Sequence, residues 1–473
     1  MPQVPARADS ADSLLERIVT ATDESWKRLS RDRSSFSPDL PSCTVFVRMN
    51  PVAIFDYASL RKQERELDQR LTQLKAEGLR LDMSRGKPAP EQLDLSLGLL
   101  TALDAADYRS LAGLDCRNYG LLEGIPEART LLAGLLDLQA DNVIVSGNSS
   151  LELMHDSVAQ ALSHGVPGGD APWGKGATKF LCPVPGYDRH FAICDHLGIA
   201  MIPVQMDARG PDMDAVEPLV VSDPAVKGIW LVPKYSNPTG ITLDDGVVDR
   251  LARMPTAARD FRIMWDNAYA VHDLGDGSDK LKSIFAACQA AGTPDRALLF
   301  GSTSKISFAG AGLSVMGGSD RNLTWMVQHM SKRTIGPDKL NQLRHVRFFK
   351  DFDGIRVHMR AHAKILAPKF DAVQQVLESE LGGLGVATWT KPRGGYFVSV
   401  DTLDGCAKEI VSAAASAGVK LTEAGATFPL GKDARDRNIR IAPSFPTLPE
   451  ITKAMEVFSV CVKLASIRCS PSS

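Results

Sequence analysis

The sequence lacks the features that would place it outside ordinary small-molecule chemistry. No apolar run approaches the ~18–20 residues needed to cross a bilayer. The first 48 residues have no apolar core of a secretory signal. They also carry too many acids (Asp9, Asp12, Glu16, Asp23, Glu24) for a typical organellar transit segment. A net charge of -2 argues against general affinity for nucleic acid or an anionic membrane. The 8 cysteines are scattered with no CxxC pair, which suggests neither a disulfide framework nor a zinc cluster; a reducing, cytoplasmic setting is expected. Neither GxGxxG nor a Gly-Lys-Ser/Thr loop occurs, so the common dinucleotide and nucleoside-triphosphate cradles are excluded.

What is present is a 473-residue chain, long enough for two domains or for one large domain with a satellite. Residues 1–48 are polar and read as a poorly ordered extension, and Met49 offers an alternative start. Helical spacing runs from about 54 to a C-capping Gly78. Between about 130 and 317, short continuously apolar runs end in turn chemistry: NVIVSGNSS, KFLCPVPGYDRH, GIWLVPKYSNPTG, FRIMWDNAY, ALLFGSTSK. Such runs predict a mostly parallel sheet covered by helices on both faces, whose ligands bind at the carboxyl ends of the strands. Beyond 337, a helical stretch to 381, a hairpin in VATWTKPRGGYFVSVD, a helix over 405–417, the strand NIRIAPSF and a terminal helix predict a smaller α+β domain.

Each polar cluster has a bland reading and a chemical one. Asn148, Ser149 and Ser150 either cap a helix or offer an anion site at its N-terminus. Asp266 is a helix cap or the partner of a cation. Asn237 lies in a turn, and Tyr187 is either a half-buried tyrosine or an aromatic plate. Lys305 is a loop cation, or an amine desolvated for Schiff-base chemistry. One ligand would use every cluster at once. Pyridoxal 5'-phosphate (PLP) has an aldehyde for Lys305, a phosphate for the serine-rich turns, a ring nitrogen for Asp266 and a flat face for Tyr187.

The order NSS, PGY, SNPTG, DNAY, SxSK and a late arginine resembles the class I aminotransferases of PLP fold type I. RGKP, NYGLLEGIPEAR, GNSSLELMHD, STSKISFAGAG and PRGGYF resemble the aspartate-aminotransferase-like subgroup with a MocR-type domain. The likeness spans roughly 50–467. It implies that Lys305 forms the Schiff base and moves the proton, and that Asp266 keeps the ring nitrogen protonated. Asn237 and Tyr269 would bond the ring's phenolate oxygen, and Tyr187 would stack on the ring. Asn148, Ser149, Ser150 and Ser302 would hold the phosphate. Tyr119 would reach the phosphate of a neighbouring subunit, implying a homodimer with shared sites. Arg440 would grip the substrate α-carboxylate and Gly86 would lie in a loop closing over it. The implied reaction moves an amino group from an L-amino acid, aspartate foremost, to a 2-oxo acid, 2-oxoglutarate foremost. The implied layout is an N-terminal segment (49–98) contributing to the small domain, a large PLP-binding domain (99–337) and a C-terminal small domain (338–473).

The chain departs from that pattern once. Where many relatives place an arginine against the phosphate, in a GLR segment after the lysine, this sequence reads AGAGLS and ends on Ser314. For a distal substrate carboxylate, Arg85, Lys87, Arg117 and Arg393 are the candidate cations. HMRAH (358–362) has two histidines at helical spacing but lacks the glutamate of HExxH, so it is read as no metal site. The rival functions are a β-decarboxylase or C–S lyase on the same scaffold, and a PLP-sensing transcription regulator. No basic recognition helix supports the regulator.

Overall fold

The computed structural model describes residues 57–469, with side chains from 61. The extension 1–48 and the Met49 start lie outside the described residues.

The fold is organised by an eight-stranded sheet. Its strands are β1 (Val143–Val145), β2 (Lys179–Val184), β3 (Ala200–Asp207), β4 (Gly210–Pro211), β5 (Val226–Leu231), β6 (Arg262–Asp266), β7 (Ala297–Ser302) and β8 (Ser314–Gly317). Their spatial order is β1-β8-β7-β6-β5-β2-β3-β4. The β3-β2-β5-β6-β7 ladder is parallel throughout; β8 runs antiparallel to both β7 and β1, and β4 antiparallel to β3. This is the α/β architecture expected of fold type I, and the apolar runs have a simple cause. Successive residues of a strand face opposite ways, and here both faces are covered. In β7, Ala297 and Leu299 enter one apolar core while Leu298 and Phe300 enter the other. In β5 the alternation is Ile229 and Leu231 against Trp230.

A three-stranded antiparallel sheet follows: β9 (Ala387–Trp389), β10 (Val398–Thr402) and β11 (Asn438–Ile441), in the order β9-β10-β11. Helix α1 (Tyr57–Ala76) packs Leu71 and Leu74 into its core, and Gly78 follows the helix at φ 65°, as the C-cap pattern requires. The long helical stretch after 337 is divided into two helices. Lys350 takes φ 70°, and Asp351 accepts a hydrogen bond from the Gly354 N–H to start a new helix. The first, α4 (Lys339–Phe349), sends Leu343, Val346 and Phe349 into the core of the large sheet. The second, α5 (Phe352–Leu381), contributes Ile355 and Met359 to that core and Phe370, Val373, Leu377 and Leu381 to the core of the small sheet. Among the described residues no helix is long and apolar enough to cross a membrane.

Candidate active site

The carboxyl ends of β1, β2, β5, β6 and β7 lie along one edge of the large sheet, and each carries one of the polar clusters. At β1, the chain turns through Ser146 to Asn148 and enters α2 (Ser150–His164). Ser149 occupies the N-cap position but makes no capping hydrogen bond. The helix-cap reading therefore fails here. The side chains of Asn148, Ser149 and Ser150 have no partner among the described residues, and they stand beside the free N–H groups of a 15-residue helix. The Ser304 hydroxyl donates to Asn148 O at 3.0 Å, tying this turn to the one after β7. The Ser302 hydroxyl accepts from the Ser304 N–H at 3.4 Å.

Asp266, the last residue of β6, does not cap a helix. It is 2% exposed, and its Oδ2 meets His190 Nε2 at 3.0 Å. Its other oxygen, Oδ1, is buried without a partner among the described residues. A buried carboxylate oxygen left bare is costly, and here it lies at the ligand-binding edge of a parallel sheet. His190 is stacked on Trp230 with centroids 4.5 Å apart and meets the Tyr187 ring edge-on at 5.0 Å. Helix α3 (Asp188–His196) begins directly after Tyr187, so Tyr187 and His190, three apart, come to the same side of the strand end.

Lys305 follows β7 with its Nζ 4.9 Å from the centre of the Tyr269 ring. Burial pushes its pKa below the ordinary lysine value, against the opposing charge of Asp266. The Lys305 carbonyl receives contacts from His272 Nε2 at 3.3 Å and the Tyr396 hydroxyl at 3.5 Å. Tyr269 is itself 2% exposed, and its hydroxyl's pKa is driven up, first by burial and then by neighbouring tyrosines and Asp266.

Arg440, on β11, reaches this edge from the small sheet. It is 6% exposed and lies on the Phe397 ring at 4.8 Å. Its Nη1 donates to Asn237 Oδ1 at 3.1 Å and to Asp188 Oδ1 at 3.0 Å, and its Nε to Thr422 Oγ1 at 3.3 Å. Thr422 in turn donates to Ser84 O at 2.7 Å, which fastens the SRGKP loop to the guanidinium. Gly86 belongs to that loop, and a Cβ there would collide with the Phe397 ring.

Other sequence candidates are placed elsewhere or committed to other partners. Tyr119 is 80% exposed, on a loop held by Lys339 Nζ at 2.9 Å from Gly120 O. Arg117 pairs with Asp115 at 2.6 Å and lies over Tyr108. Arg393 pairs with Asp279 at 3.1 Å and donates to Gly277 O. Lys87 sits 3.7 Å over the Phe445 ring, while Arg85 is exposed. Ser314 is fully buried, its hydroxyl without a partner among the described residues, and as a serine it brings no charge to that position. His358 and His362 contact each other at 3.1 Å, and His358 also meets Ile306 O at 2.9 Å. Asp188, His190, His272 and Tyr396 escaped the sequence reading. His190 and His272 each follow a chosen tyrosine by three residues, a spacing that would have flagged them.

Pyridoxal phosphate fits these residues. The bare Oδ1 of Asp266 suits a protonated ring nitrogen, the uncommitted hydroxyls and N–H groups at the start of α2 suit a phosphate, and the depressed Lys305 suits an aldehyde. The aspartate amino-transferase family model matches residues 56–471. The chain belongs to that family. It is a PLP-dependent aminotransferase of fold type I. It is 45% identical to the aspartate aminotransferase of Corynebacterium glutamicum over 413 residues, covering 87% of this chain and 95% of the relative. The crystal structure of an aspartate transaminase from that organism superimposes with a TM-score of 0.85, at 45% identity, covering 88% of this chain and 98% of that one. LysN, an α-aminoadipate aminotransferase of Thermus thermophilus complexed with N-(5'-phosphopyridoxyl)-L-leucine, shares the fold at 21% identity and a TM-score of 0.66, over 84% of this chain and 95% of that one.

Proposed function

We propose that this aminotransferase takes its amino group from L-aspartate and delivers it to 2-oxoglutarate. The observation that carries the reading is the meeting of Lys305, Asp266 and Arg440 around one buried cluster, in which Asp266 and Arg440 both act electrostatically on Tyr187 and Tyr269. The names of the relatives in Corynebacterium glutamicum support aspartate in particular.

Pyridoxal phosphate supplies an aldehyde for the amine and a ring that accepts the electron pair released at the substrate carbon. The chain's own residues do the rest. Asp266, held by His190, would keep a proton on the ring nitrogen. Asn237 and Tyr269 would hydrogen-bond the ring's oxygen, and Tyr187 would stack on the ring. Asn148, Ser149, Ser150 and Ser302 would hold the phosphate. Lys305 Nζ, its pKa lowered by burial, would take the proton from the substrate α-carbon and carry it through the 1,3-shift that amino transfer requires. Arg440 orients the α-carboxylate through a paired grip, and the Gly86 loop closes beside it.

The site reads as shared between two copies of the chain. Leu97, Leu100, Leu111, Tyr119 and Ile335 are all more than half exposed, apolar surface that a second copy of the chain could take out of water. A homodimer would cover it and carry Tyr119 to the partner's phosphate. A cytoplasmic setting and the division into a large lobe and a small lobe belong to the same reading.

The test is the visible and near-ultraviolet absorbance of the purified protein before and after L-aspartate. A visible band that moves to the near-ultraviolet and returns with 2-oxoglutarate is the expected result. A band that ignores aspartate but answers another amino acid refutes the donor, and release of carbon dioxide or sulfide favours the lyase rivals.

A further inference from the structure

Arg440 is held by more than substrate recognition requires. Its guanidinium has five N–H donors in a rigid fork. Both donors of Nη1 are engaged, one with the carboxylate of Asp188 and one with the amide oxygen of Asn237; Nε faces Thr422. Only Nη2 has no partner among the described residues. A paired grip on a carboxylate needs two adjacent nitrogens: the Nε–Nη2 edge is set against Thr422, whose hydroxyl is fixed on Ser84 O at 2.7 Å, so the grip falls to the Nη1–Nη2 end and has to take an Nη1 hydrogen that a protein group already uses. Of the two groups on Nη1, Asp188 is the one able to leave. Its side chain is 34% exposed against 6% for Arg440, and Asn237 is buried at 3%. Asp188 is also the first residue of α3, so the helix N-terminus stabilises its charge after it lets go.

We propose that Asp188 is a displaceable counter-ion of Arg440: a positioning residue that keeps the guanidinium aimed and neutralised, and that the substrate's α-carboxylate must push aside. This rests on Arg440 being the carboxylate grip. Pairing with Asp188 lowers the fraction of Arg440 ready for substrate, and the apparent affinity falls by that fraction. The arrangement raises the concentration at which the site saturates without touching the reacting atoms. It also discriminates against neutral amines, which cannot exchange one carboxylate for another.

The experiment is a titration of the PLP-loaded enzyme with L-aspartate, followed by the absorbance change, for wild type, Asp188→Asn and Arg440→Gln. Asparagine keeps the hydrogen bond to Nη1 and removes the charge. The expected result is half-saturation of Asp188→Asn at an aspartate concentration about two- to fivefold lower, in the range of a partly exposed ion pair. Arg440→Gln should move half-saturation upward by more than tenfold. If Asp188→Asn binds aspartate equally or more weakly while Arg440→Gln loses binding, the counter-ion proposal is overturned and the role of Arg440 survives. If Arg440→Gln binds as well as wild type, both fall. Asp188→Ser is the companion variant: it removes the charge with a smaller side chain, and a matching gain in affinity separates charge removal from a packing change.

Discussion

At the scale of the residue, the site turns on groups whose environment contradicts their usual chemistry. Lys305 has a depressed pKa because burial disfavours its ammonium. Lys305→Ala should lower turnover by at least about 10²–10⁴-fold, measured as amino transfer at saturating substrate. Asp266→Ala should release the cofactor on dialysis as well as lower the rate, because it removes the carboxylate proposed to pair with the ring nitrogen; retained absorbance at wild-type stoichiometry would contradict this. These residues were legible because each sits within a few positions of a strand end. Their partners were not. His190 meets Asp266 across 76 residues of sequence, and Asp188 meets Arg440 across 252. No local pattern encodes such pairings. For the same reason Arg393 looked available in the sequence, yet it pairs with Asp279; Arg117 is different, since its partner Asp115 lies only two residues away.

Buried histidines give the molecule an acid limit that can be read residue by residue. Burial lowers His345 and His362 to about 4, from an ordinary 6.5. Between those values the unfolded chain binds protons that the folded chain refuses, so stability rises with pH across that window and is lost as pH falls through it. Each histidine amounts to roughly 3 kcal/mol at full extent. Thermal midpoints measured from pH 7 to pH 4 should fall steadily, and His345→Gln should flatten part of the slope. An unchanged slope in that variant would exclude His345 as a source.

At the scale of the element, the loops are set by glycines that stand where no side chain fits. Gly86 faces the Phe397 ring, which lies under Arg440. Gly86→Ala must shift the ring or the loop, and either moves the guanidinium. The half-saturating aspartate concentration should rise by roughly tenfold, about 1.4 kcal/mol, with a smaller change in turnover at saturation. A variant changed only in turnover would show that the loop acts on chemistry instead of binding. The Pro-Arg-Gly-Gly-Tyr-Phe segment is built on the same principle: a Cβ on Gly394 would enter the Tyr235 ring. The sequence announced these as turn residues. That they mark close approaches of ring to backbone depends on the distant partner, and only the fold supplies it.

At the scale of the whole molecule, the sheet was the most legible feature. A strand buried on both faces is apolar at nearly every interior position, and that writes an unmistakable run into the sequence. The break at Lys350 was hidden, because the residues on both sides keep helical spacing. Exposed Leu97, Leu100, Leu111 and Ile335 predict assembly. Sedimentation should give twice the chain mass, and Leu111→Asp with Ile335→Asp should shift the protein toward monomer and reduce activity together. Full activity in a monomeric variant would remove the shared-site reading.

Helix α5 has a mechanical consequence. Its 30 residues span about 45 Å, with one end planted in the large sheet's core and the other in the small sheet's core, and Pro368 between them. A rod anchored at both ends passes load between its supports. Neither core can melt without stripping apolar cover from the other, and hydrogen exchange along α5 should report a single release instead of two. One break in this rod would expose the oily interior of both halves at once, so its midpoint is where a protease or a misplaced insertion would do the most damage.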